Sequence, residues 1–212
     1  MTTPVHLLRH GEVENPDRVL YGRLPGYVLS DLGVAQAKVA AEFLAQRPIG
    51  HIVASPLERA RQTAAPLAEI CDRPVELDPR LIEADNKLEG RRVAGGKGLF
   101  ADPSNWRYFV NPLRPSWGEP YEQVAARVLA AARAARRRVE GTGLEAVCVS
   151  HQLPIVAARR RAEGQRLFHD PRKRRCSLAS VTTLLFDGEV VVGVDYTEPA
   201  AGVLPEGHGA GA

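Results

Sequence analysis

Apolar positions along the chain fall into short unbroken runs separated by longer stretches with helical spacing. Pro4–Arg9 (PVHLLR), Gly50–Ala54 (GHIVA), Pro74–Leu77 and Glu145–Val149 (EAVCV) read as buried strands. Between the first two, Leu32, Ala35, Val39 and Phe43 recur at helical spacing, which predicts a helix over about 31–46 with Ser30 as its cap. Ser55-Pro56-Leu57-Glu58 has the form of a capping box with proline at the first helical position, and predicts a helix running to about Ile70. A long helix is expected from Glu119 to about Glu140, with Val124, Val128, Ala131, Ala135 and Val139 on one face and Gly141 and Gly143 after its end. Another is expected from about Leu153 to Glu163, with Pro154 in its first turn and Gly164 beyond it. Val181–Phe186 and Val190–Val194 flank Asp187-Gly188-Glu189 and predict a hairpin.

Strands alternating with helices predict an α/β fold, a three-layer α/β/α sandwich with a mainly parallel sheet. Residues 1–197 read as a single domain. The glycines of GRRVAGGKG, several prolines and both tryptophans, Trp106 and Trp117, mark an inserted cap or loop at about 84–118. The tryptophans read as packing within that insert. Residues 198–212, rich in Gly, Ala and Pro, are expected to be a disordered tail. In such sheets ligands bind beyond the carboxyl ends of the strands. Arg9-His10-Gly11, Ser55–Arg59, Glu83 and His151 all lie just past strand ends, so four distant segments should meet on one edge.

Composition narrows the function. The 212 residues suit one domain, and 44% hydrophobic with 25% charged residues is ordinary for a globular protein. A formal net charge of +3 is no nucleic-acid signature but accommodates anionic substrates. Cys71, Cys148 and Cys176 are odd in number and lack CxxC spacing, which argues against a disulfide framework or structural zinc and for a reducing compartment. The sequence shows neither a secretory signal nor an apolar run long enough to span a bilayer, so a cytoplasmic location is expected. His6 and His10 have the spacing of a helical zinc pair, but on a strand His6 points away, and no metal site is expected. The runs Arg136–Arg138, Arg159–Arg161 and Arg172–Arg175 read as solvated faces rather than RNA or lipid sites.

Leu8-Arg9-His10-Gly11-Glu12 resembles the signature of the histidine phosphatase superfamily, the phosphoglycerate mutase-like fold. The resemblance extends through Ser55-Pro56-Leu57-Glu58-Arg59-Ala60-Arg61-Gln62-Thr63-Ala64, Leu81-Ile82-Glu83 and Val149-Ser150-His151, and covers roughly residues 4–195. It implies His10 as a nucleophile that becomes phosphorylated, Arg9, Arg59 and His151 as the phosphate pocket, and Glu83 as proton donor. The residue types suit the chemistry. Arginine offers a fixed fork of donors matching phosphate, and a neutral imidazole can form a covalent intermediate that divides one hard step into two. Arg61 competes with Arg59, but residues two apart on a helix point to nearly opposite sides, and the motif favours Arg59. Two departures stand out. Ala84-Asp85-Asn86-Lys87-Leu88 follows the acid where the family often has an aromatic-Gly pair and a Trp, which makes Asp85 an alternative donor. Pro16 occupies a position where the family commonly has Asn, so Asn15, one residue earlier, is the candidate phosphate ligand.

The resemblance leaves phosphatase, cofactor-dependent phosphoglycerate mutase, and a binding protein that has lost catalysis. Mutases usually carry a longer insertion, and the intact Arg9-His10, Arg59, Glu83 and His151 set argues against an inactive protein, so a phosphatase of small phosphomonoesters is the first expectation. No cofactor is expected. The expected partner is a small phosphorylated molecule, not nucleic acid or membrane, with a homodimer as candidate assembly. Arg91, Arg92, Lys97, Arg107 and Arg114 in the insert point to a second anionic group on the substrate.

Overall fold

The computed structural model describes residues 2–92 and 118–203. Trp106, Trp117, Lys97, Arg107, Arg114, most of the predicted insert and residues 204–212 of the tail lie outside the described residues.

Among the described residues, six strands, β1 (Thr3–Arg9), β2 (Ile49–Ala54), β3 (Val75–Leu77), β4 (Glu145–Ser150), β5 (Val181–Asp187) and β6 (Val190–Thr197), form one sheet in the order β3-β2-β4-β1-β5-β6. The first four pair in parallel, and β5 and β6 add an antiparallel hairpin. Among the described residues, four α-helices cover the two faces: α1 (Asp31–Ala45), α2 (Glu58–Cys71), α3 (Tyr121–Arg138) and α4 (Gln152–Ala162).

The unbroken apolar runs are explained by burial on both faces. In β1, Val5 and Leu7 join the core under α3 and α4, while Leu8 joins the core under α1 and α2. In β4, Ala146 and Cys148 face the first core, and Val147 and Val149 the second. Each fully buried leucine contributes about 1.5–3 kcal/mol relative to an exposed one. His6, in the middle of β1, is buried and bonded to Thr183 Oγ1 at 2.9 Å and Glu145 Oε2 at 2.6 Å, away from His10.

Most boundaries match the pattern within a residue or two. Ser30 caps α1, its Oγ accepting from the Gly33 amide at 3.1 Å. The capping box at Ser55 does not form. The N-cap of α2 is Leu57, with no side-chain cap, because the Ser55 amide is tied into the sheet end by donation to Val149 O at 2.9 Å and the Glu58 carboxylate accepts from Gly26 N at 3.0 Å. β6 runs beyond Val194 to Thr197. Gly141, Gly143 and Gly164 all have positive φ where α3 and α4 have ended. Arg136, Arg137, Arg138, Arg159, Arg161 and Arg172 each reach a carboxylate. No helix among the described residues is long and apolar enough to cross a membrane.

Candidate active site

The carboxyl edge of the parallel strands gathers the predicted segments. At the end of β1, the Arg9 amide donates to Ser180 O at 3.0 Å and the His10 amide to Ser150 O at 3.1 Å, which places His10 where β1 and β4 stop. His10 is 2% exposed and His151, the residue after β4, is fully buried. Their ring centroids are 5.1 Å apart. Nδ1 of His10 donates to the carbonyl oxygen of Gly11 at 2.8 Å. A carbonyl can only accept, so this bond fixes the proton on Nδ1 and leaves Nε2 with the lone pair. Burial, reinforced by the Arg59 and Arg9 charges, holds the His10 pKa well below its ordinary value and keeps the ring neutral.

The loop carrying His10 is gripped by α1 and α2. The Gly11 amide donates to Thr63 Oγ1 at 3.1 Å, and that hydroxyl donates to Arg59 O at 2.7 Å. The Glu12 amide donates to Gln36 Oε1 at 2.8 Å. A Cβ on Gly11 would lie 2.5 Å from Gly33 O, so glycine is needed here to let the loop lie on the first turn of α1.

Two guanidinium groups flank the histidines. Arg9 is 3% exposed and its Nη1 donates to Cys176 O at 2.6 Å. Arg59 is 1% exposed, donates to Gly22 O at 2.6 Å, and lies 4.7 Å from the Tyr21 ring centroid. Neither makes an ion pair among the described residues. Nε of each, and Nδ1 of His151, are buried without a hydrogen-bond partner. The two arginine Nε groups are donors, and buried donors in this state are rare in folded proteins and fit an anion as their missing partner. Arg61, the competing arginine, is exposed. Nε2 of His151 bonds Ser55 Oγ at 2.8 Å. Burial, followed by interaction with His10 and with the Arg59, Arg9 and Arg127 charges, holds His151 neutral as well.

Glu83 follows a short 3-10 turn, Pro79–Leu81, after β3. The backbone around it is fixed from three sides. Ser150 Oγ donates to Leu81 O at 2.7 Å, Arg127 Nη1 to Ile82 O at 2.6 Å, and Arg23 Nε to Glu83 O at 2.7 Å. Glu119 joins the two arginines, accepting from Arg127 Nε at 2.8 Å and from Arg23 Nη2 at 3.0 Å. This network, with Ala84 and Leu88 buried beneath, gives the unusual Ala84–Leu88 run a defined shape. Desolvation raises the Glu83 pKa, outweighing the Ala84 amide bond and the Arg59, Arg174 and Arg9 charges that lower it. A carboxyl so placed can hold a proton to higher pH and give it up. Asp85 is exposed.

Asn15 stands apart. Its Nδ2 donates to Val19 O and its Oδ1 accepts from Val19 N, both at 2.9 Å, so its amide closes a local turn. Ser55, Thr63 and Tyr21 are site residues that pattern reading missed. Ser55 and Thr63 sit inside the quoted motif, but their bonds are long-range. Tyr21 lies in a polar loop with no periodic signal. No group of three or more His, Cys, Asp or Glu among the described residues could hold a metal ion.

The comparisons agree with this geometry. An uncharacterized protein of Mycobacterium tuberculosis (strain ATCC 25618 / H37Rv), Rv0525, is 55% identical over 199 residues, covering 94% of this chain and 98% of that protein. A probable phosphoglycerate mutase, GpmB of Enterobacter sp. (strain 638), is 35% identical over 157 residues, 71% of this chain and 70% of that protein. The mycobacterial glucosyl-3-phosphoglycerate phosphatase Rv2419c, solved with inorganic phosphate, has a TM-score of 0.71 at 26% identity, covering 96% of this chain and 100% of that one. The model of the histidine phosphatase superfamily (branch 1) matches residues 5–198, a span holding every segment of the site, and the chain belongs to that superfamily.

Proposed function

We propose that this chain is a phosphatase that hydrolyses small phosphomonoesters through a phosphohistidine on His10. The observation that carries the reading is the Nδ1 bond from His10 to the Gly11 carbonyl, which leaves Nε2 of a neutral ring free to attack. Arg9, Arg59 and His151 bind the phosphoryl oxygens, and the unmet buried Nε donors of the two arginines support that role. In the first step the Nε2 lone pair forms the N–P bond, the ester P–O bond breaks, and Glu83 gives its proton to the leaving oxygen. The ring then carries a positive charge, which the Gly11 carbonyl stabilises at Nδ1. In the second step Glu83, now a carboxylate, takes a proton from water. The water oxygen bonds to phosphorus, the N–P bond breaks, and neutral His10 and inorganic phosphate result. Metal-independent turnover is part of this reading, since the arginines supply the positive charge that phosphoryl transfer needs. The free thiols of Cys71, Cys148 and Cys176 suit a reducing cytoplasm.

The second reading is a phosphoglycerate mutase, favoured by the 35% identity to the probable mutase from Enterobacter. The test is to supply 3-phosphoglycerate with its bisphosphorylated primer and compare isomerisation with release of inorganic phosphate. Phosphate release is expected to dominate. Isomerisation ahead by tenfold or more, about 1.4 kcal/mol of barrier difference, reverses the ranking.

A further inference from the structure

Arg174 lies on the segment between α4 and β5, in a run of basic residues that reads as a solvated face. Its surroundings are of another kind. Nε donates to Nε2 of His169 at 2.9 Å, Nη1 donates to Oε1 of Gln152 at 3.3 Å, and the Tyr121 hydroxyl lies beside it. His169 donates from Nδ1 to Leu167 O at 2.6 Å, so its Nε2 is an unprotonated acceptor and the ring is neutral. All three partners are therefore uncharged. Arg172 pairs with Asp170 and Arg159 with Glu163, whereas Arg174, like Arg175 and Arg160, makes no ion pair among the described residues.

Two anchors bring this guanidinium to the catalytic edge. Gln152 directly follows His151. Cys176, two residues beyond Arg174, accepts from Arg9 Nη1 at 2.6 Å. Gln152 is 8% exposed, and its Nε2 is buried without a partner, an unmet donor next to the cation. Arg174 and Glu83 also feel each other's charge. A half-buried guanidinium with no carboxylate in ion-pair contact is unfavourable, and neutral acceptors that fix its orientation do not supply that contact. An incoming anion does. The fork geometry matches a carboxylate or a phosphate, where two parallel bonds can form.

We propose that Arg174, assisted by the amide of Gln152, is a specificity determinant that binds a second anionic group, carboxylate or phosphate, on the leaving-group part of the substrate. The assignment to that side rests on the phosphatase reading, in which Glu83 faces the leaving oxygen. It adds the α4–β5 segment to the insert as a source of the second-anion contact. Arg92 in the insert pairs with Asp17 on the surface.

The test uses three-carbon alkyl phosphates that differ in their far end: propyl phosphate, 3-(phosphooxy)propanoate and propane-1,3-diyl bisphosphate. The full-length protein is expected to favour at least one anionic member over propyl phosphate by tenfold or more in kcat/KM. The favoured member identifies carboxylate or phosphate. Arg174→Gln should reduce that preference to within about twofold, mainly through KM, and Arg174→Lys should restore part of it. If Arg174 acted only by tuning Glu83, the variant would lower all three esters alike, because each has a basic alkoxide to protonate. An equal loss on all three, a preference that survives Arg174→Gln, or no preference in the wild type overturns the proposal. A melting curve for each variant separates loss of fold from loss of preference. The phosphatase reading itself fails by a different result, activity in a folded His10→Ala protein, so the two failures are distinguishable.

Discussion

Nδ1 of His10 and the carbonyl oxygen of Gly11 lie 2.8 Å apart, and this one bond decides which nitrogen can react. A phosphoenzyme trapped during turnover should carry its phosphate on Nε2 of His10. Rapid quenching at alkaline pH, where phosphohistidine survives, followed by peptide mass spectrometry and phosphorus NMR, reads both the residue and the nitrogen. His10→Ala should abolish labelling and turnover while melting as a folded protein. Label on Nδ1, or turnover in that variant, contradicts the mechanism.

The two shifted groups predict a bell-shaped pH profile. The His10 pKa is lowered, so the ring gains its reactive lone pair as pH rises through a value well below 6.5. The Glu83 pKa is raised from 4.5, so its proton is available to higher pH than for an ordinary carboxyl and is then lost. For an alkyl phosphate, kcat/KM should rise on the acid side with His10 and fall on the alkaline side with Glu83. Wild type and Glu83→Gln must be compared on the same ester, so that the ester's own ionisation cancels. An alkaline limb that persists unchanged in Glu83→Gln assigns it to another group.

Much of this site was legible because it lies at strand ends. Four unbroken apolar runs flanked by helical spacing are enough to place Arg9, His10, Glu83 and His151 on one edge of a parallel sheet. What was not legible depends on partners far away in sequence. Ser55 has the form of a helix cap, yet its hydroxyl bonds His151 and its amide belongs to the sheet end. Helix propensity loses to these two long-range bonds. Asn15 lies one residue short of the offset from His10 at which the family commonly has Asn, and its amide is engaged by Val19. β6 continues through Asp195 and Tyr196 because its backbone ladder with β5 persists after the apolar pattern stops. Arg174 is indistinguishable from Arg172 in sequence, and differs in being half-buried against His169 and Gln152 with no carboxylate to meet.

The contact between the His10 loop and α1 predicts a positioning effect at Gly33. A Cβ there would overlap the Glu12 carbonyl oxygen, which is backbone and cannot swing aside. Gly33→Ala should destabilise by about 1–3 kcal/mol, as overpacked sites do. In a domain of this size that lowers Tm by roughly 2–4 °C per kcal/mol. It should also lower kcat, because residues 11 and 12 must shift and the Gly11 carbonyl with them. A variant with wild-type Tm and wild-type kcat shows that the loop yields freely and that the grip on His10 lies elsewhere.

Glu83 can be tested by the basicity of what it protonates. An alkyl phosphate leaves as a strongly basic alkoxide and needs a proton in the transition state. A nitrophenyl phosphate leaves as a weakly basic phenolate and hardly does. General acid catalysis contributes about 10²–10⁴-fold, so Glu83→Gln should lose on that order with alkyl phosphates. The phosphorylation step with nitrophenyl phosphate should fall far less. Glu83 also activates water in the second step, so steady-state rates mix the two roles and can hide the contrast. The burst of nitrophenol released before the phosphoenzyme turns over isolates the first step. In Glu83→Gln the burst should persist at a rate near that of wild type while the steady-state rate after it collapses, leaving phosphoenzyme to accumulate. Equal loss of the first step with both esters means that Glu83 acts through structure or charge alone. Asp85, exposed two residues after Glu83, is then the next carboxyl to replace.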